Sequence, residues 1–283
     1  MTRPAMAALG AALFVLGAGV LMAGVTVVDG EGHVLTVQIQ TDPQNPSLQG
    51  LVIVDAGPQG TTTQWINSTF DSTVDIDPHI TLNPHDGQPV VVWSRQTSGG
   101  SDLELAMTRR LSGGAWGPLD ILTSNQTSDV EPRPLVDAQE RAHIVWWPSG
   151  AGGYVYLQSF DVRTGQPLGP TQRPLEPLNP VGRRARGSGG YGDVGGNDDP
   201  WVGGLTNKAS AYPCGPNPAA APEHGLVMAC GQPVPYQLSS CRLVLGIYDG
   251  TAWRQTVADL STAPLGGTSV VQIVQALANA RCQ

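Results

Sequence analysis

The residues best suited to chemistry in this chain are acidic, and they come in pairs. Asp75-Ile76-Asp77 stands just before Pro78, and Asp129-Val130-Glu131 stands just before Pro132. A glycosidase needs two carboxylates facing one bond, and although acids are plentiful here, nothing in the sequence pairs them across one. Arg133 follows the second pair closely, and Arg95, Asp102 and Trp147 fall near the ends of the apolar runs that come next. An arginine can fork onto a carboxylate, and an exposed indole can stack on a sugar or a peptide. Asp75, Asp77, Arg95, Asp102, Asp129, Glu131, Arg133 and Trp147 are therefore the candidate ligand-binding residues. A quieter role competes at Asp75 and Asp129, which can cap turns by accepting backbone hydrogen bonds. None of the eight sits in a recognisable catalytic motif.

Other chemistries are poorly served. There is no G-x-S-x-G, no P-loop and no H-E-x-x-H. His79 and His85 are separated by a strand and a turn, and no His/Cys spacing fits zinc. The run Asn197-Asp198-Asp199 lacks the spacing of an EF-hand. No metal and no cofactor is implied. The formal net charge is −8, which opposes binding to nucleic-acid phosphates.

Both acidic pairs open the same repeated unit. Pro78 to Leu82 leads through Asn83-Pro84-His85-Asp86-Gly87 to Val90-Val91-Val92-Trp93, and Pro132 to Asp137 leads through Ala138 to Arg141 to His143-Ile144-Val145-Trp146. The offset is 54 between the prolines and 53 between the tryptophans. Each copy reads as a strand, a tight turn and a second strand rich in Val, Ile and Trp. Leu103 to Met107 and Tyr154 to Leu157 read as third strands, and Leu119 to Leu122 as a fourth. Four antiparallel strands in roughly 50 residues make one blade of a β-propeller. Fainter copies lie at Leu51 to Trp65 and Leu243 to Trp253, while 36 Gly and 24 Pro exclude a helical bundle.

The expected fold is all-β, a propeller-like array of four-stranded antiparallel blades, about five, closed or incomplete. Residues 169–222, rich in Gly and Pro, read as an insertion. Val25 to Val28 or Val34 to Val37 is expected to pair with Ser269 to Val274, covering two open edges. The acidic pairs then share one face with the turns between second and third strands, and such loops on a rigid scaffold are where binding is expected. Trp93, Trp116, Trp146 and Trp253 recur at matched positions and should pack between blades. Trp147 and Trp201 break the pattern and are the stacking candidates.

Residues 1–24 read as an export signal or an N-terminal anchor, with Arg3 ahead of an uncharged Ala- and Gly-rich run. Either fate puts the remainder, 25–283, outside the cytoplasm. Cys214, Cys230, Cys241 and Cys282 are even in number, which in an exported chain argues for disulfides. Gly225 to Cys230 and Cys241 to Leu245 read as one hairpin, which would join Cys230 to Cys241 and leave Cys214 for Cys282.

The repeat resembles the sialidase-like, BNR-repeat (Asp-box) β-propeller superfamily. The resemblance rests on the Asp–Pro opening, the V-V-W strand and the G-x-A-W of Gly113 to Trp116 and Gly250 to Trp253. Against the family's S-x-D-x-G-x-T-W box, this chain keeps Gly113 and Trp116 but has Arg109, Leu111 and Ala115 at the other places. Aligned on Trp253, Gly250 matches, whereas Tyr248 replaces the Asp and Ala252 the Thr. Family sialidases clamp a substrate carboxylate with three arginines, the first in an R-I-P-like motif, for which Arg133-Pro134 is the nearest echo. The resemblance thus implies the fold and a degenerate, non-catalytic form of it. The expected function is an exported, non-enzymatic propeller protein that binds a glycan or an extracellular protein on its loop face. The alternatives are a divergent sialidase-like glycoside hydrolase and a structural cell-envelope module. A membrane partner is expected only through the N-terminal anchor.

Overall fold

The structure, a computed structural model, describes residues 25–66, 70–97, 100–149, 154–175, 223–239, 242–260 and 270–281. Blade 1 consists of β1 (Val25–Val28), β2 (Val34–Thr41), β3 (Gln49–Gly57) and β4 (Gly60–Trp65). Blade 2 consists of β5 (Asp75–Leu82), β6 (Pro89–Gln96), β7 (Leu103–Arg109) and β8 (Asp120–Ile121). Blade 3 consists of β9 (Asp129–Val136), β10 (Arg141–Pro148), β11 (Val155–Asp161) and β12 (Gln172–Leu175). Blade 4 consists of β13 (Glu223–Ala229), β14 (Gln232–Ser239), β15 (Arg242–Tyr248) and β16 (Trp253–Asp259). Each blade is an antiparallel sheet in sequence order, so the fold is the expected all-β propeller-like array, with four blades among the described residues.

The first strands β1, β5, β9 and β13 pack against one another in that order and form the inner rim. The tryptophans wedge between sheets as expected. Trp93 packs with Leu35, Val37, Leu51 and Ile53 of blade 1. Trp146 packs with Val90, Val92, Leu105 and Met107 of blade 2, and Trp253 packs against the cluster of Val130, Val145 and Trp147 in blade 3. Each indole buries a large apolar area at an interface where sheet must meet sheet.

Several expectations need correction. Val25–Val28 pairs with Val34–Val37, not with the C-terminal segment. That segment is a helix, α1 (Val270–Arg281). Its Ile273, Val274, Leu277 and Ala278 pack on blade 4 at i, i+1, i+4 and i+5, a helical stripe that the β-branched composition disguised. Gln172–Leu175 is the fourth strand of blade 3, so any insertion starts later than residue 169; residues 176–222 lie outside those described, as do residues 1–24.

The predicted hairpin of 225–230 with 241–245 is absent, because β14 stands between β13 and β15. Cys230 is disulfide-bonded and sits in the β13–β14 turn, while Ser239, the last residue of β14, pairs with Arg242, the first of β15, at the other end of that strand. The expected Cys230–Cys241 pair includes a residue outside those described. Cys214, Cys241 and Cys282 are outside the described residues.

Candidate functional site

The dipeptides Asp77-Pro78 and Glu131-Pro132 shape the inner rim. A proline disfavours the helical region for the residue before it and donates nothing to a ladder. In both inner strands the register shifts at this point. Ile76 pairs with Ser94 and His79 with Val92, so Asp77-Pro78 bulges opposite Trp93. Val130 pairs with Trp147 and Arg133 with Val145, so Glu131-Pro132 bulges opposite Trp146. Asp77 and Glu131 take left-handed φ angles of 52° and 55°. Bulges of this kind re-aim side chains and recur beside active sites.

The two bulges meet. The Glu131 backbone N–H donates to Asp77 Oδ2 at 3.2 Å. Two residues on, Arg133 NH1 donates to His79 Nε2 at 2.6 Å. A guanidinium has no acceptor, so His79 Nε2 must carry a lone pair and the ring is neutral there. Burial, with Arg133 and His224 nearby, holds the His79 pKa well below its usual value. From β13, His224 Nε2 donates to the Glu131 carbonyl at 3.0 Å, and its Nδ1 accepts from Trp147 Nε1 at 2.5 Å. Those partners set one tautomer of His224 and pin the backbone of Glu131 from behind. Blades 2, 3 and 4 thus bring two carboxylates, one guanidinium and two imidazoles to the inner rim.

The remaining candidates separate. Asp75 is fully buried and binds Trp93 Nε1 at 2.8 Å and Arg95 NH1 at 2.8 and 2.7 Å. Burial raises its pKa, against the pull of Arg95 and Trp93. Arg95 also reaches Asp71 at 3.2 Å, so this group is a sealed strut between strands. Asp102 is half-buried in the β6–β7 loop and joins none of the other candidates in the described contacts. Trp147 is 2% exposed and engaged with His224, so it supports the site and does not offer a face for stacking. Trp201 lies outside the described residues. Asp129, at the start of β9, is buried beside a groove that also contains Asn125 and Trp146. Burial, reinforced by Glu104, raises its pKa to about 6 against bonds from Thr123 and Asn125.

Of the eight candidates, Asp77, Glu131 and Arg133 come together here, joined by His79 and His224, which were not among them. His79 occupies the place of Arg133 in the repeat, a signal present in the 54-residue offset. His224 opens β13, where the repeat is too faint to align.

No protein-family model and no curated protein matches the chain. Solved structures with a partial likeness include a protein of unknown function from Dyadobacter fermentans, at 12% identity and TM-score 0.45, covering 83% of this chain and 51% of that one. They also include a Penicillium chrysogenum alpha-L-arabinanase complexed with arabinobiose, at 12% and 0.47, covering 83% and 63%. A third is the native Bacillus subtilis arabinanase Arb43A, at 13% and 0.42, covering 85% and 81%. The chain spans about half of the first of these proteins and under two thirds of the second.

Proposed function

We propose that this chain is a carbohydrate-active propeller, and that Asp77 and Glu131 act as an acid–base pair on a glycosidic bond. One observation supports it above the rest. Two acids at matched registers of neighbouring inner strands are both held left-handed. For a residue with a side chain that conformation costs about 1–2 kcal/mol, and strain of this kind collects at functional sites. The other left-handed non-glycine residues among those described, Glu140 and Cys230, lie in turns, where the conformation is ordinary. Glu131, 7% exposed and braced by His224, suits the proton donor, while the more open Asp77 suits the ionised partner. Arg133 supplies a fixed cation for a sugar oxygen or carboxylate. The same reading keeps the chain outside the cytoplasm, with residues 1–24 as the export signal or anchor; the N-terminal sequence of the mature protein tells these apart.

The test is a panel of aryl glycosides and oligosaccharides, arabino-oligosaccharides included, with Asp77→Asn and Glu131→Gln beside the wild type. Turnover should fall by roughly 10²–10⁴-fold in each variant while circular dichroism stays unchanged. Binding without turnover, weakened by Arg133→Ala, would instead favour the non-enzymatic glycan binder that the missing catalytic motifs suggest. Neither turnover nor binding on folded protein ends both readings.

A further inference from the structure

Blades 2 and 3 carry the same acid and the same tryptophan but finish them differently. In blade 2 the register puts Arg95 opposite Asp75, and Trp93 Nε1 donates to the same carboxylate. In blade 3 the register puts Pro148 opposite Asp129, so the arginine is replaced by a residue with no donor. Trp146 Nε1 lies near enough to Asp129 to favour its ionised form. Yet that buried N–H meets hydrogen-bond geometry with no acceptor among the described residues. Asn125 Nδ2 donates to Asp129 Oδ2 at 2.8 Å and leans toward Glu104 Oε2 at 3.4 Å.

Over these groups lies a groove of about 460 Å³, between the β8–β9 connection and the outer part of blade 3. Its wall includes Thr123, Asn125, Tyr156 and Gln158, and none of the lining residues is Lys, Arg or His. It shares no residue with the Asp77–Glu131 cluster. The volume is that of a small-molecule site.

The chemistry of the floor selects the ligand. Trp146 Nε1 can only donate, and the Asp129 carboxylate accepts. An anion would meet the indole but be repelled by Asp129 and Glu104. A cation would meet the carboxylate and leave the indole unpaired, which is costly in a buried place. A hydroxyl group accepts from the one and donates to the other. We propose that this groove is an off-axis binding site for a neutral sugar, seated by one hydroxyl between Trp146 Nε1 and Asp129. Thr123, Asn125 and Gln158 line the rest of the groove while hydrogen-bonded within the protein, to Glu104, Asp129 and the Gly169 carbonyl, and Tyr156, edge-on to Trp146 at 5.8 Å with Arg173 against its ring, closes one wall.

The probes are glucose, galactose, arabinose and N-acetylglucosamine, with methylammonium and sulfate as charged controls, read by saturation-transfer NMR and titration. At least one sugar should bind in the millimolar range or tighter. Trp146→Phe keeps the ring and removes the N–H, and should weaken binding about 5- to 10-fold. Gln158→Ala, on the rim, should weaken it as well and serves if Trp146→Phe does not fold. The double variant Asp77→Asn/Glu131→Gln should leave this Kd within about twofold, since additivity holds between separate sites. The proposal is overturned by no sugar binding at all, by methylammonium or sulfate binding in its place, or by sugar binding that Gln158→Ala leaves unchanged.

Discussion

Glu131 donates its backbone N–H to Asp77 Oδ2 across 3.2 Å, and both residues are left-handed. One bulge therefore braces the other. The side chain of Asp77 satisfies a donor that the bulge in β9 removes from its own ladder. The two acids are coupled in structure before any ligand arrives.

That backbone geometry predicts an inverted preference. In a regular strand Gly is worse than Ala by about 0.5–1 kcal/mol. At positions 77 and 131 the order should reverse, with Glu131→Gly more stable than Glu131→Ala by about 1 kcal/mol, and likewise at Asp77. Urea unfolding of the four variants measures this. Alanine variants as stable as the glycine ones would remove the strain argument.

Asp75 and Arg95 should behave as a buried pair. Arg95→Leu leaves a fully buried carboxylate without its cation and should cost about 3–5 kcal/mol. Adding Asp75→Asn should recover part of that loss. A double-mutant cycle by chemical denaturation reads the coupling, and a value near zero would contradict the sealed arrangement.

Asp129 sets one pH slope. Its carboxyl titrates at about 6 in the fold, against about 3.9 in an unfolded chain. Between those values the native state binds a proton that the unfolded state has released. This group's stabilisation is therefore complete below about pH 4 and is lost as pH rises through about 6. The stability of Asp129→Asn relative to wild type should accordingly increase by up to about 3 kcal/mol between pH 4 and 7.

His79 slopes the other way. Its folded pKa is depressed, first by burial and then by Arg133 and His224. The neutral ring contributes stability above the unfolded value of about 6.5, and that contribution is lost as pH falls. His79→Gln, which can still accept from Arg133, should flatten the decline between pH 7 and 5. The windows of His79 and Asp129 overlap with opposite signs, so only the single variants, not the wild-type curve, separate them.

Cys230 Sγ lies 3.8 Å from the Asn279 carbonyl, in the last turn of α1 and three residues before Cys282. Peptide mapping of the unreduced protein should therefore find Cys230 joined to Cys282. A Cys214–Cys230 peptide would refute this pairing, and reduction should loosen the helix from blade 4 if it holds.

Sequence alone was enough for blades 2 and 3, because strand alternation, turn residues and the Trp93–Trp146 offset of 53 are local signals that repeat. The acid–Pro step, visible in two copies, put Asp77 and Glu131 among eight candidates but did not separate them from Asp75 and Asp129. Local signals failed where β-branched residues made α1 look like a strand.

Partners were not legible at all. Asp75 and Asp129 open matching motifs, and it takes the strand pairing to show that the equivalent position facing each is Arg95 in one blade and Pro148 in the other. His224 reaches Glu131 across 93 residues of chain, a contact that exists because β13 packs against β9. Periodicity and turn chemistry act over a few residues and so are written in the sequence. Hydrogen-bond partners across a rim of inner strands depend on how sheets stack, and that is decided only when the blades close on their tryptophans.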